Sequence, residues 1–337
     1  MYSDMQINTD FEKRIFSLSN NADFEFLALE LFFYQYRYNS CYRSYVDALR
    51  IDPRSIRHSA AIPRLPIGFF KTHRVYSGEG EPGLIFESSG TTGTVNSRHL
   101  VREPRLYEQS FLQAFERFYG PVSGYAVIGL LPSYLERQHS SLVYMVHKLI
   151  QYSGRPESGF YLYEHEKLHL RLLELEQQGR RTLLIGVTFA LLDFAEKYRM
   201  QLQHTLVMET GGMKGRREEL TRPAVHALLK ERLGLEQVHS EYGMTELLSQ
   251  AYAAQEGIFR CPPWMRVTLR DENDPLSSPP QEGAAQRGLI NVIDLANIYS
   301  CAFLSTEDIG KLYPDGSFEV LGRMDNSALR GCSLMAV

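Results

Sequence analysis

Between Gly83 and Tyr242 short β-prone runs alternate with helical ones, and this alternation restricts the chain more than any other feature. LIFE (84–87) is followed by a helical pattern over Pro104–Tyr119, YAVIGLL (125–131) by helical patterns over His139–Tyr152 and His165–Gln178. LLIGVT (183–188) then precedes a helix over Ala190–Met200, TLVME (205–209) one over Arg216–Leu233, and QVHSEY (237–242) closes the series. Strand, helix, strand with short connections has one common solution, an α/β sheet covered on both faces. Such sheets bind ligands at the carboxyl ends of their strands, so the chemistry is expected just after each apolar run.

The flanks have a different texture. Phe11 to Ile51 carries Phe24, Leu27, Leu31, Tyr34 and Tyr38 at three-to-four-residue spacing, which predicts two amphipathic helices. Pro63, Pro66, Gly68, Gly78, Gly80 and Pro82 then mark a connecting segment with at most one strand. Past Pro262 the runs RVTLR, LINVID, IYSCAFLS, KLYP and FEVLG, joined by turns such as DENDPLSSPPQEG, read as β-hairpins. The expected organisation is a helical cover and connector over 1–82, an α/β core over 83–261 and a β-rich subdomain over 262–337.

Composition narrows the partners. A length of 337 residues buries a substantial core, and 44% hydrophobic with 23% charged residues is globular. A net charge of −4 lacks the basic footprint of a nucleic-acid binder, leaving small molecules or proteins. Cys41, Cys261, Cys301 and Cys332 form no CxxC pair, which suits a reducing cytoplasm. No leader precedes the first helix, and the most apolar stretch, Leu183–Phe194, is too short to span a bilayer, so a soluble cytoplasmic protein is expected.

Two hydroxyl-bearing segments follow predicted strands. In Ser88-Ser89-Gly90-Thr91-Thr92-Gly93, two glycines allow close backbone approach to an anion and four hydroxyls can bond phosphate oxygens. No GK[ST] follows, so it is not a Walker A loop, and a Ser/Thr-rich turn is the alternative. In Glu241-Tyr242-Gly243-Met244-Thr245-Glu246, a carboxylate beside a hydroxyl could hold Mg²⁺ through oxygen ligands. The alternative there is a helix start with Thr245 as cap and Glu246 in the first turn.

Taken together, SSGTTG and the distant YGMTE resemble the adenylate-forming superfamily, which activates carboxylates with ATP as acyl-adenylates. Three further segments match in order: Glu209-Thr210-Gly211-Gly212, resembling the glycine turn beside the adenine, Thr306-Glu307-Asp308-Ile309-Gly310, and Gly322-Arg323-Met324-Asp325, resembling the hinge. Within the superfamily the chain is most similar to the acyl-protein synthetases, the long-chain fatty acid luciferin-component ligases. That likeness rests on Ile67–Lys71 (IGFFK), Pro132–Arg137 (PSYLER), Glu209–Lys214 and Arg330-Gly331-Cys332-Ser333; phenylacetate–CoA ligases are more distant. The resemblance implies an α/β fold of the large N-terminal-type domain with a β-rich subdomain. It also implies ATP and Mg²⁺ as cofactors, a carboxylic acid such as a fatty acid as substrate, and an acyl-CoA reductase-like partner. Its roles would fall on Ser88–Gly93 for the phosphates, Thr245 for the α-phosphate, Glu246 for the metal and Asp308 for the ribose, with Gly211, Gly212, Tyr242, Gly243 and Arg323 completing the nucleotide site.

The superfamily's carboxyl-terminal lid is not expected, because 11 residues after Asn326 are too few for a domain of at least ~50 residues. The lid lysine's role is then unassigned; Lys71 and Lys214 are either substitutes or surface lysines. Cys332, beside Arg330, is the acyl acceptor that the resemblance implies, and a neighbouring guanidinium raises the thiolate fraction of a thiol. The alternative is an idle tail thiol. Cys41 and Cys301 sit in apolar runs and read as core.

His139 with His147 and His165 with His169 have helical spacing but no third ligand, which argues against zinc. His239 is placed to line the pocket, and Tyr107, Phe111, Phe115 and Phe118 form a packing stripe. Two other functions compete: a ligase passing the acyl group to coenzyme A or a carrier, and a non-catalytic nucleotide-binding regulatory subunit. Replacing Thr91 and Thr92 together by Val is expected to weaken ATP binding by about 1.5–3 kcal/mol per lost charge-assisted bond, read by titration calorimetry; unchanged affinity in a folded variant removes the loop from the site.

Overall fold

The computed structural model describes residues 9–88, 95–132, 137–211, 220–272 and 285–324. Helices α1 (Thr9–Phe16), α2 (Asn21–Tyr38) and α3 (Ser40–Ala48) open the chain. The helical cover thus has a third helix, because Asn20 and Asn39 each cap a new start, accepting from Asp23 N–H and Tyr42 N–H. Strand β1 (Leu65–Pro66) and the single turn α4 (Phe69–Thr72) lie in the connector. The hairpin β2 (Leu84–Glu87) and β3 (Arg98–Val101) follows, and then α5 (Pro104–Tyr119), which starts on a proline and stops at Gly120 with φ 84°.

The central sheet comes next: β4 (Ala126–Leu130), α6 (Ser141–Ser153), β5 (Gly159–Phe160), α7 (His165–Gln177), β6 (Thr182–Gly186) and α8 (Thr188–Lys197). It continues through β7 (Thr205–Glu209), α9 (Arg222–Leu233), β8 (His239–Tyr242) and β9 (Ala251–Ala253). Its order is β5-β4-β6-β7-β8-β9, parallel except for β9. Every residue of β4 and β6 is buried, as in strands covered on both faces. Alternate residues feed two cores. Val127, Leu183, Ile185 and Met208 pack with α5 and α6 on one face, while Ile128, Leu130, Leu184 and Val207 pack with α7, α8 and α9 on the other. The chain leaves β4 toward β5 and returns across it to β6, so the strand order reverses there, the geometry that opens a crevice at carboxyl ends.

A second sheet holds β10 (Met265–Arg270), β11 (Gln286–Asp294), β12 (Phe303–Leu312) and β13 (Phe318–Arg323), with β1 added in parallel to β12. The architecture is α/β, with these antiparallel strands beside a mostly parallel sheet. Most predicted elements fall within two residues of the observed ones. Helix α9 starts at Arg222, where Pro223 sits in the first turn, rather than at Arg216. No helix is long and apolar enough to cross a membrane among the described residues.

The two sheets are tied through one buried carboxylate. Asp294, at the end of β11, accepts from Leu248 N–H (2.7 Å), Ser249 N–H (3.0 Å), Ser249 hydroxyl (2.5 Å) and Ala296 N–H (3.2 Å). Ser249 meets Ser110 of α5 at 3.0 Å, and Ser110 accepts from Trp264 Nε1 at 3.0 Å. Asp294→Ala would leave several buried donors unpaired and should cost about 3 kcal/mol or more; a denaturant midpoint within experimental error of wild type would show that the network is not required.

Candidate active site

The stretch after β8 is the point where the sequence motifs converge. Residues 243–250 form turns rather than a helix, so Thr245 caps nothing and the helix-start alternative is corrected. The reason is the second sheet. His99 of β3, fully buried, holds the Thr245 carbonyl through Nδ1 at 2.7 Å and faces Asn297 Oδ1 through Nε2 at 3.1 Å, while Asn297 Nδ2 donates to the Glu246 carbonyl at 2.8 Å. These bonds occupy carbonyls that a helix would use. Burial lowers the His99 pKa to about 4 against the pull of its two partners, so the ring is neutral near pH 7 and has one proton for two acceptors.

With the backbone held, the side chains of the turn are left for other work. The Thr245 hydroxyl is half-buried and has no protein partner among the described residues. Glu246 is 6% exposed; burial raises its pKa, countered by a hydrogen bond from Ser97 and the charges of Arg323 and Lys71. Lys71 lies on α4, whose Phe70 packs edge-on against His99 at 5.7 Å, so the IGFFK segment both buttresses the clamp and brings a cation toward Glu246.

Tyr242 reaches across to the second sheet. Its hydroxyl donates to Asp308 Oδ2 at 2.9 Å and its ring stands edge-on to Phe318 at 5.5 Å. Asp308 is opposite Arg323 in the β12–β13 ladder, with Arg323 Nε 3.5 Å from Asp308 Oδ1 and 3.8 Å from Glu307 Oε2. Asp308 is thus inside a strand, beside a bulge at Ile309/Gly310, rather than after one. Tyr242, Thr245, Glu246, Asp308 and Arg323 come together; Gly243 lies among them.

The glycine turn is built on Glu209 at the end of β7. Gly211, at φ 75°, donates its N–H to Glu209 Oε2 at 2.7 Å and accepts from Thr188 N–H at 2.9 Å. Thr188 hydroxyl (3.0 Å) and Arg222 Nε (3.0 Å) also bond the carboxylate. Burial alone would raise the Glu209 pKa, but His226, Arg222, Ser240 and the Gly211 N–H bring it down to about 2. Glu241, on the other face of β8, moves oppositely: burial and the charge of Glu209 push it up to about 8.

Ser88 closes the β2–β3 hairpin, its N–H bonding the Ser97 carbonyl at 3.1 Å and its hydroxyl accepting from Ser97 N–H at 2.9 Å. Ser89, Gly90, Thr91, Thr92, Gly93, Gly212, Lys214, Arg330 and Cys332 lie outside the described residues. His239 is neutral, burial lowering its pKa to about 4, and lies 3.4 Å from the Tyr119 hydroxyl. His169 stacks on Tyr198 at 4.5 Å and His165 meets the Phe194 ring edge-on at 5.9 Å. Cys301 is fully buried and Cys41 packs against the core. A cavity of about 610 Å³ lies elsewhere, lined by Arg117, Phe118, Cys261, Met265 and Tyr313 and by none of the motif residues. His99 and Asn297 escaped the sequence reading because neither stands in a motif with a chemical spacing; the one available signal is that His99 follows the hydroxyl-rich loop in the same hairpin.

The fold has counterparts among solved structures. The chain is similar to 2-hydroxyisobutyryl-CoA ligase in its postadenylation state, with TM-score 0.65 and 11% identity over 97% of this chain and 73% of that one. It is also similar to the open conformation of that ligase in complex with 2-HIB-AMP and CoA, with TM-score 0.63 and 13% identity over 97% and 81%. The fold is that of the adenylate-forming enzymes. ATP-bound MatB from Rhodopseudomonas palustris matches with TM-score 0.53 and 19% identity over 73% of this chain, which spans about half (49%) of MatB. No family model and no curated protein matches the sequence.

Because the folded-state value for Glu209 lies below the ordinary 4.5, its contribution to stability is complete above pH 4.5 and is lost as the pH falls toward about 2. Glu209→Gln should therefore be less stable than wild type at neutral pH and show a shallower loss on acidification, measured as denaturant midpoints between about pH 7 and pH 3. Parallel profiles for the two proteins would contradict this account of Glu209.

Proposed function

We propose that the chain is an ATP-dependent ligase that activates a carboxylic acid as its acyl-adenylate, acting as an acyl-protein synthetase. The observation that carries this reading is the turn 243–250, where the backbone of Thr245 and Glu246 is held by His99 and Asn297 while the Glu246 carboxyl lies within electrostatic reach of Lys71 and of Arg323, which in turn pairs with Asp308. Preorganised donors and charges of this kind stabilise the charge that develops in phosphoryl displacement.

In the adenylation step a substrate carboxylate oxygen attacks the α-phosphorus of ATP, the bond to the bridging oxygen breaks and pyrophosphate leaves. Thr245 would donate its hydroxyl to the α-phosphate, Ser88 to Gly93 would cradle the phosphates, and Gly211 with Gly212 would flank the base. Asp308 would accept from the ribose hydroxyls, exchanging its bond with Tyr242, and Arg323 would hold Asp308 in place. Glu246 would hold Mg²⁺: it is a buried carboxyl whose desolvation a cation would relieve. When bound it would neutralise phosphate charge. In the second step the Cys332 thiolate attacks the acyl carbonyl, the mixed anhydride opens, AMP leaves and a thioester remains. Delivery to a reductase-like partner and a fatty acid as substrate follow from the resemblance to acyl-protein synthetases.

A second reading is favoured by the complex of 2-hydroxyisobutyryl-CoA ligase with both an acyl-adenylate and CoA: here too the acceptor would be an external thiol. One experiment separates the readings. With a panel of labelled acids, wild type should release pyrophosphate and retain label in a hydroxylamine-sensitive bond, Cys332→Ser should release pyrophosphate without retaining label, and Glu246→Gln should lose Mg²⁺-dependent release. Label retained equally by Cys332→Ser would overturn the cysteine as acceptor; absence of acid-dependent pyrophosphate release would overturn the ligase and leave a regulatory nucleotide-binding subunit.

A further inference from the structure

The cavity of about 610 Å³ takes no part in the candidate site. Arg117 and Phe118, which line it, stand in the last turn of α5, and the next residue, Tyr119, lies 3.4 Å from His239, the first residue of β8. The turn 243–250 follows the other end of β8. The cavity is therefore set toward the amino ends of the parallel strands, away from the carboxyl ends where such a sheet places its chemistry. Its volume is within the range of about 300–1,000 Å³ that small-molecule sites occupy.

The walls are braced by hydrogen bonds. Phe259 and Phe318 exchange backbone N–H···O bonds of 2.7 and 3.0 Å, and Arg260 Nη2 donates to Asp315 Oδ2 at 2.8 Å. The turn between β12 and β13 is closed by Tyr313 N–H on the Ser317 carbonyl at 2.9 Å, with Gly316 at φ 81°. On the remaining side β10 is the edge of its sheet, yet its Met265 N–H bonds the Pro262 carbonyl at 3.0 Å and its Val267 N–H bonds the Cys261 sulfur. An added peptide strand would need those groups, so the space suits a small molecule. Walls fixed in this way also spare a ligand the cost of ordering them.

The lining decides the chemistry. Phe118, Cys261, Met265, Val267 and Leu312 give it an apolar surface continuous with the core. The charged groups around it are mostly spent: Asp315 is bonded by Arg260 and by the Ser317 N–H (3.0 Å) and hydroxyl (2.5 Å), Arg266 by Glu25 and Asn21, and Tyr313 donates to Glu319. Arg117 differs, being exposed and without a hydrogen bond or ion pair among the described residues. One uncompensated guanidinium beside an apolar space selects a ligand with an apolar body and a single negative charge. Its planar fork of N–H donors matches the two oxygens of a carboxylate.

We propose that this cavity binds an amphipathic monocarboxylate, with the carboxylate on Arg117 and the hydrocarbon portion against Phe118, Met265 and Leu312. The site is separate from the place where an acid would be adenylated, and its occupation requires neither ATP nor turnover.

The test is photo-crosslinking of the full chain, without ATP, by decanoic acid carrying a diazirine on its hydrocarbon chain, with the labelled peptides located by mass spectrometry. Wild type should be labelled at Phe118 or within 260–267 or 312–317, and decanoate should displace that label at a concentration at least about tenfold lower than decanol or acetate requires. In Arg117→Gln the concentration of decanoate needed should rise at least about tenfold, while that of decanol stays as in wild type. Arg117 is exposed and unpaired, so the variant should keep the wild-type melting temperature, and the decanol control shows that its cavity is intact. No label in these segments, equal displacement by decanol and decanoate, or an unchanged requirement for decanoate in Arg117→Gln would each overturn the proposal. The adenylation reading fails separately, by the absence of acid-dependent pyrophosphate release, and neither result bears on the other.

Discussion

The buried carboxylate of Asp294 is the contact on which the arrangement of the site depends. It stands at the end of a strand of the second sheet and draws in the backbone of Leu248 and Ser249 from the central one. Burial raises its pKa to about 6 even with the Ser249, Leu248 and Ala296 donors pulling it down, so the charged form is held at a cost that only multiple hydrogen bonds offset. A few residues upstream, His99 and Asn297 take the carbonyls of Thr245 and Glu246. Three elements, α5, β3 and β11, share one network with the turn 243–250 and with Trp264 just before β10, and the turn that bears the motif cannot shift without breaking these bonds.

Within a short distance of that turn the carboxyls are given distinct states by their surroundings. Glu209 is ringed by donors and a guanidinium and stays ionised to about pH 2, which makes it a scaffold for the glycine turn. Glu241 has no such donors among the described residues and is pushed toward about 8. Glu246 lies between these cases, desolvated but faced by Ser97, Arg323 and Lys71. Identical chemistry at three positions is separated by burial and by the number of donors in reach. One carboxyl is a bonded scaffold, one a desolvated acid, and one is desolvated but faced by cations.

Much of the fold was legible because its signals are local. Apolar runs such as AVIGL and TLLIG have the length and composition of strands covered on both faces, and Pro104 with Gly120 brackets α5. The hydroxyl-rich segment and YGMTE stood out as candidate sites because their residue types are unusual side by side. The third helix of the cover was less visible, since Asn39 serves at once as the end of α2 and the cap of α3. The turn at Thr245 was ambiguous for a physical reason: Thr followed by Glu is a good helix start, and the competitors for its carbonyls come from residues about 146 and 51 positions away in the chain.

Periodicity, breakers and motif composition were enough to determine an α/β chain with a β-rich end and to single out candidate segments for its chemistry, since these properties are encoded within windows of a few residues. Only the tertiary structure decided that Tyr242 would meet Asp308 and that His99 and Asn297 would hold the turn. Those outcomes depend on strand register and on burial. Both are set by how distant segments pack, and a single sequence carries no local mark of either.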